Sequence, residues 1–173
     1  MKMLAAILAC SVLLSAQIPA SREYQIKAAF LFNFTQFVEW PTESFEDTTA
    51  PLIIGVLGED PFGAFLTETI KGEKVNGHPL IVEHYSNAKE IGRCHILFIN
   101  VSGKDQMKEI MPVIKGHHIL TVSDAANFIS QGGLVRFIKE NNKIRFQINQ
   151  EAAKENEISI SSKLLRLAEI VKN

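Results

Sequence analysis

The sequence predicts an α/β fold, a three-layer sandwich built on a mainly parallel sheet. The first sign is the run Cys94-His95-Ile96-Leu97-Phe98-Ile99-Asn100-Val101-Ser102. Its apolar core is continuous, short and rich in β-branched and aromatic residues, the pattern of a strand buried on both faces. The second is a matching run, Pro51-Leu52-Ile53-Ile54-Gly55-Val56-Leu57-Gly58. The third is the alternation of such runs with helical periodicities, which places a parallel sheet between helical layers.

In chain order, Lys2 and the apolar stretch Leu4 to Leu14 read as a secretory signal peptide. They are followed by small-x-small sites that place cleavage after Ala16 or Ala20. Cys10 lies inside the apolar region with Leu8 two positions before it, which argues against a lipoprotein anchor. Residues 1–20 are thus expected to be leader and 21–173 one domain, long enough to bury a core. A secreted chain that keeps only Cys94 cannot form an internal disulfide, and Cys94 reads as a buried, inert thiol.

Arg22 to Trp40 is expected to be a helix ended by Pro41. Tyr24, Ile26, Phe30, Leu31, Phe34, Phe37, Val38 and Trp40 fall on one face, with Thr35, Gln36 and Glu39 opposite. Lys27 falls on the apolar side, where a snorkelling stem at the core edge accounts for it. Phe32 falls on the polar side and is a candidate contact with another chain. After the strand at 51–58, Asp60 and Pro61 suit a helix start, and that helix runs to about Lys71. His78 to Tyr85 reads as a strand and Asn87 to Gly92 as a short helix. Lys104 to Lys115 carries Met107, Ile110, Met111 and Ile114 at helical spacing before Gly116. His118 to Val122 is a fourth strand. Leu134–Lys139 and Lys143–Ile148 form a hairpin closed by Glu140-Asn141-Asn142, expected at the sheet edge. Glu151–Glu155 is helical and Ile158–Ile160 extended. Ser161 or Ser162 caps a last helix with the stripe Leu164, Leu167, Ala168 and Val171.

Net charge is −1 and no basic stripe is present, so nucleic acid is not an expected partner. Ligands of open α/β sheets lie beyond the carboxyl ends of the strands, which makes Glu59, Asn100, Ser102 and Asp124 the candidate pocket. Gly58-Glu59-Asp60-Pro61-Phe62-Gly63 is no dinucleotide fingerprint, since two acids would repel a pyrophosphate. The histidine pairs begin strands, where neighbours point to opposite faces, so no metal and no cofactor are expected. Ser123-Asp124 has no catalytic partner in sequence. The residues give no catalytic group and no enzymatic reading.

Eight segments, in order, carry a resemblance. They are Glu23-Tyr24-Gln25-Ile26-Lys27-Ala28-Ala29-Phe30 with Asn33-Phe34; Phe37-Val38-Glu39-Trp40-Pro41; Gly55-Val56-Leu57-Gly58-Glu59-Asp60-Pro61-Phe62-Gly63; Cys94-His95-Ile96-Leu97-Phe98-Ile99; Leu120-Thr121-Val122-Ser123-Asp124; Gly132-Gly133; Ile144-Arg145-Phe146-Gln147-Ile148-Asn149; and Ser161 through Ala168. With these the chain resembles the YfiR family of periplasmic proteins of Gram-negative bacteria. The resemblance implies a periplasmic repressor of an inner-membrane diguanylate cyclase, acting on cyclic-di-GMP and biofilm formation. It also implies sequestration by an outer-membrane lipoprotein, and a homodimer. The other reading is a small-ligand sensor domain feeding another membrane receptor such as a histidine kinase. Family members can carry disulfides, one through a cysteine at the position of Cys94; here the partner position looks like Gly55. A repressor needs a surface that favours one state of its partner. Phe32 and the hairpin residues Arg136, Ile138, Arg145 and Gln147 are the candidates. Phe137 and Phe146 read as core, and an edge hairpin offers itself for dimer pairing.

Overall fold

A computed structural model describes residues 19–101 and 103–172. The expected leader up to position 18, with Cys10 and the Ala16 cleavage point, lies outside the described residues, as does Ser102. Ala20 is the first residue of helix α1, Ala20–Phe37.

The strands are β1 Val38–Glu39, β2 Leu52–Gly58, β3 Lys74–Val75, β4 His78–Tyr85, β5 Ile96–Asn100, β6 Leu120–Ser123, β7 Val135–Glu140, β8 Lys143–Asn149, β9 Ser159–Ile160 and β10 Glu169–Val171. The other helices are α2 Ala64–Ile70, α3 Lys104–Ile114, α4 Gln150–Glu155 and α5 Ser162–Leu165. The main sheet runs β3-β4-β2-β5-β6-β7-β8-β10. Strands β4, β2, β5, β6 and β7 are parallel, and β8 returns antiparallel to β7. Strand order therefore reverses between β2 and β5, the usual place for a crevice.

β5 is the middle strand, as its composition predicts. Ile96, Leu97, Phe98 and Ile99 are all buried, Ile96 and Phe98 in one core and Leu97 and Ile99 in the other. α1 and α2 cover the first core. Met107, Ile110 and Ile114 of α3 cover the second. The hairpin closes through Asn141 and Asn142, both at positive φ. Two such residues make the turn whose twist matches that of the strands, and asparagine tolerates the left-handed region best after glycine.

Several expectations need correction. α1 stops at Phe37, three residues early. Val38 is extended and pairs with Ile160, with Glu39 opposite Ser159, because a β-branched residue and the approach of Pro41 both disfavour another helical turn. Thr35 is buried, not solvent-facing, and its hydroxyl donates to the Phe32 carbonyl. α1 packs against α2 and α5 as well as the sheet, so its buried surface is wider than one stripe. Phe32 is half-buried and packs against the core. α2 begins at Ala64, while Asp60 Oδ1 accepts from the Phe62 amide at 2.8 Å in the turn ahead of it. The last helix is a single turn. Ser161 caps it by accepting from the Leu164 amide, and Glu169–Val171 is a strand parallel to the end of β8. β-branched Ile170 and Val171 favour that pairing. The hairpin is consequently not the edge along its whole length, since β10 covers Gln147 to Asn149.

Candidate functional site

The two segments Glu23–Lys27 and Leu120–Asp124 meet at the carboxyl end of β6. Lys27 is 3% exposed. Its Nζ lies 2.6 Å from Glu23 Oε1, one helical turn back, and 2.8 Å from Asp124 Oδ2. The ammonium also sits 4.4 Å from the centre of the Tyr24 ring, a cation–π arrangement. Tyr24 donates its hydroxyl to Asp124 Oδ2 at 3.2 Å. From the hairpin, Lys139 Nζ reaches Glu23 Oε2 at 3.3 Å. Lys27 therefore does not snorkel: its charge is buried and neutralised inside the fold.

The electrostatics follow from this packing. Burial alone would raise the Glu23 carboxyl, but the ammonium groups of Lys27 and Lys139 more than offset it and hold it below its ordinary value. Burial and the Asp124 carboxylate push the Tyr24 hydroxyl up to about 12, so it stays a donor. Two carboxylates meet two ammonium groups here, which leaves no surplus negative charge for a cation. Asp124 Oδ1 and Arg136 Nε are buried and have no protein partner. Both residues line a cavity of about 270 Å³ shared with Glu23, Lys27, Phe137 and Lys139. One free acceptor and one free donor suit a small polar molecule that carries both functions.

The four residues of the strand-end pocket are divided. Asn100 donates its side-chain amide to the Glu59 carbonyl at 2.7 Å, joining the ends of β2 and β5. Asp124 is held by Lys27 and Tyr24, and Ser102 is outside the described residues. The hairpin set is drawn together. Arg136 pairs with Gln147, and Ile138 with Arg145, so all four side chains share one face. Arg136 Nη1 donates to Gln147 Oε1 at 3.3 Å, and Arg145 pairs with Glu140 at 3.1 Å. Phe137 and Phe146 are buried on the opposite face, as alternation requires. Phe32 lies on α1, away from this face of the sheet. Sequence reasoning missed the roles of Glu23, Tyr24 and Lys139. The i, i+4 spacing of Glu23 and Lys27 was a usable signal; the partner 97 residues on was not.

At the other end of β5, His95 is 1% exposed. Its Nδ1 accepts from the Ile53 amide at 3.1 Å, and the ring packs against Phe45 and Trp40. Burial, with the nearby His78, lowers its pKa to about 4. The unfolded chain takes up this proton below about 6.5, while the native state refuses it until about 4. Stability is therefore complete above 6.5 and is lost as pH falls toward 4, by about 2–3 kcal/mol. Urea unfolding at pH 7 and pH 4.5 should show that loss, and an unchanged midpoint would contradict it.

Cys94 is the free thiol among the described residues, and burial pushes its pKa up to about 12. It is inert as a nucleophile. A Cβ built on Gly55 would stand 2.9 Å from Cys94 Sγ, and 2.7 Å from Tyr85 Cε2. The first separation is close to the spacing of about 3 Å between one Cβ and the opposite sulfur in a disulfide. Gly55→Cys is thus expected to cross-link to Cys94 on oxidation. Closing a loop of about 40 residues contributes about 4 kcal/mol, while displacing the Tyr85 ring costs about 1–3 kcal/mol. The oxidised variant should melt roughly 8–16 °C above its reduced form. Two titratable thiols after oxidation would rule the bond out.

A protein-family model described as YfiR/HmsC-like matches residues 24–169. No curated protein matches the chain. No helix among the described residues is long and apolar enough to cross a membrane.

Proposed function

The chain belongs to the YfiR/HmsC-like family, and from that membership we propose that it is a periplasmic regulatory protein that binds an inner-membrane signalling protein and represses it. A diguanylate cyclase is the first expected partner, with cyclic-di-GMP synthesis and biofilm formation as the output. The protein acts by binding and turns over no substrate. The observation that carries this reading is the hairpin face, where the register gathers Arg136, Ile138, Arg145 and Gln147 on one side. Arg136 and Arg145, the latter paired with Glu140, flank an aliphatic residue, an arrangement that suits a polar protein surface with an apolar centre. Homodimer pairing belongs to the same reading. Its candidate edge moves from the whole hairpin to β10 and the Lys143–Phe146 half of β8, which β10 leaves uncovered. An outer-membrane lipoprotein that competes for the same face would relieve the repression.

The second reading is a small-ligand sensor that feeds another membrane receptor such as a histidine kinase. The observation favouring it is the cavity with free Asp124 Oδ1 and Arg136 Nε. A ligand held there would touch both α1 and the hairpin and so reach the docking face.

The test is capture from membranes by the protein, read by mass spectrometry, beside capture by Ile138→Asp/Arg145→Glu. A membrane diguanylate cyclase retained by the first and lost by the second supports the proposal. Capture of a histidine kinase keeps the regulatory class and removes the cyclase. Equal capture by both removes the hairpin as the docking face. Thermal shifts across a metabolite panel test the second reading: a ligand at a hundred times its Kd stabilises by about 2.7 kcal/mol.

A further inference from the structure

Three residues far apart in sequence converge on the side of the molecule away from Lys27. Glu43 lies in the 3₁₀ turn Thr42–Ser44 that follows Pro41. His118 is two residues ahead of β6, and Glu157 is two residues past the end of α4. One ligand atom from each lies within 4.8 Å of the others. His118 Nδ1 is 3.0 Å from the Asn156 carbonyl and 3.5 Å from Glu157 Oε2. We propose that Glu43, His118 and Glu157 bind a divalent first-row transition ion of the zinc type.

Charge is the first argument. Among the described residues no lysine or arginine lies within ion-pair distance of either carboxylate. Arg93, which is close, donates to the Glu43 backbone carbonyl instead. Two carboxylates thus lie beside a single imidazole, and no fixed cation balances their charge. This is the reverse of the Lys27 site, where each acid has an ammonium partner. A bound dication supplies the missing charge.

Ligand chemistry is the second argument. Magnesium and calcium favour all-oxygen shells, whereas an imidazole with carboxylates suits zinc and its neighbours. Three protein ligands and water complete a four-coordinate zinc. Bonds of about 2.0–2.2 Å place tetrahedral ligands about 3.3 Å apart, so the widest separation in the site must contract by at most about 1.5 Å. The Glu157 side chain is 67% exposed and Glu43 is exposed as well, so rotamer changes at the two glutamates achieve this without moving the backbone. An ion there would tie the turn after α1 to the end of α4 and the entry of β6.

The substitutions follow from the backbone. His118 and Glu157 both have positive φ, 55° and 57°. Asparagine tolerates that region, so His118→Asn keeps the turn while removing the imidazole. Glu43→Gln and Glu157→Gln change charge and little else. The protein is made without a polyhistidine tag, stripped with chelator, and titrated with Zn²⁺ by calorimetry, with Co²⁺ absorption as a second readout and Mg²⁺ as control. One Zn²⁺ per chain is expected, with Tm rising about 5–10 °C at a hundredfold excess over Kd. Mg²⁺ should do neither. Each single variant should bind at least about tenfold more weakly; the metal-free Tm of the two glutamate variants should not fall below that of the parent, whereas His118→Asn also gives up the contact of Nδ1 with the Asn156 carbonyl. If the Glu43→Gln/Glu157→Gln double variant binds Zn²⁺ as tightly as the parent, or the parent binds no stoichiometric ion, the proposal is overturned.

Discussion

Lys27→Met should destabilise the fold by about 2–4 kcal/mol. Methionine is close to the lysine stem in length and shape, so the packing of α1 is largely kept and the loss isolates the charge. Removing one member of a buried ion pair costs about 3–5 kcal/mol, because the charge left behind has no partner. Here two carboxylates are left, Glu23 and Asp124. Their side chains are 20% and 32% exposed, so water takes up part of the loss and the lower range applies. Lys139 still meets Glu23, which leaves Asp124 as the more exposed casualty. The loss should also fade in acid. Glu23 is held below its ordinary pKa, so its contribution is present above the unfolded carboxylate value and lost as pH falls through the folded one. In Lys27→Met that acid-side slope should shrink. Asp124→Asn should cost less, since Glu23 still neutralises Lys27, and the double variant should show a coupling of about 1–3 kcal/mol. Urea midpoints at pH 7 and pH 4 measure all of this. A loss under 1 kcal/mol at pH 7 would mean that the pair is no better than a surface ion pair.

What the sequence discloses here depends on how local the cause is. The buried strands are readable because burial on both faces demands an unbroken apolar run, and Ile96–Ile99 and Leu52–Leu57 supply one. The hairpin is readable because its alternation is strict and Asn141-Asn142 fits the turn. The small strands Val38–Glu39, Ser159–Ile160 and Glu169–Val171 are not, because two or three residues carry no periodicity; each is extended only because a partner strand lies beside it. For the same reason Leu164, Leu167, Ala168 and Val171 look like a helical stripe, yet only one turn forms before Ile170 joins β8. The site divides along the same line. Asp124 is nominated by its place after a strand, and Lys27 is conspicuous as a charge on an apolar face. That the two neutralise each other across 97 residues is a tertiary fact. Glu43, His118 and Glu157 sit in three separated segments, with no spacing that sequence could announce. Family membership, in contrast, is readable from sequence alone, because it rests on many short segments kept in order rather than on any one contact.

Phe34→Ala should cost about 3–5 kcal/mol, the largest effect expected of a single substitution. Phe34 is fully buried in the middle of α1. Its ring stacks on Phe137 with centroids 6.0 Å apart and meets Phe146 edge-on at 5.3 Å, with Phe30 completing the group. Deleting the ring removes its transfer free energy and opens a cavity that the surrounding side chains close only in part. Each aromatic pair adds about 0.5–1.5 kcal/mol beyond buried area, which places the loss at the upper end. Phe34→Leu fills most of the same space and should cost less than half as much. The group is also the mechanical link between α1 and the hairpin, since Phe137 and Phe146 alternate with Arg136, Ile138, Arg145 and Gln147 along the same strands. Loosening one face should therefore loosen the other. Amide exchange in β7 and β8 should quicken in Phe34→Ala by more than the global stability loss requires, and membrane capture should weaken although no residue of the proposed docking face has changed. Protection in β7 and β8 that falls only in step with global stability would show that the aromatic group holds the core together but leaves the outer face indifferent to it.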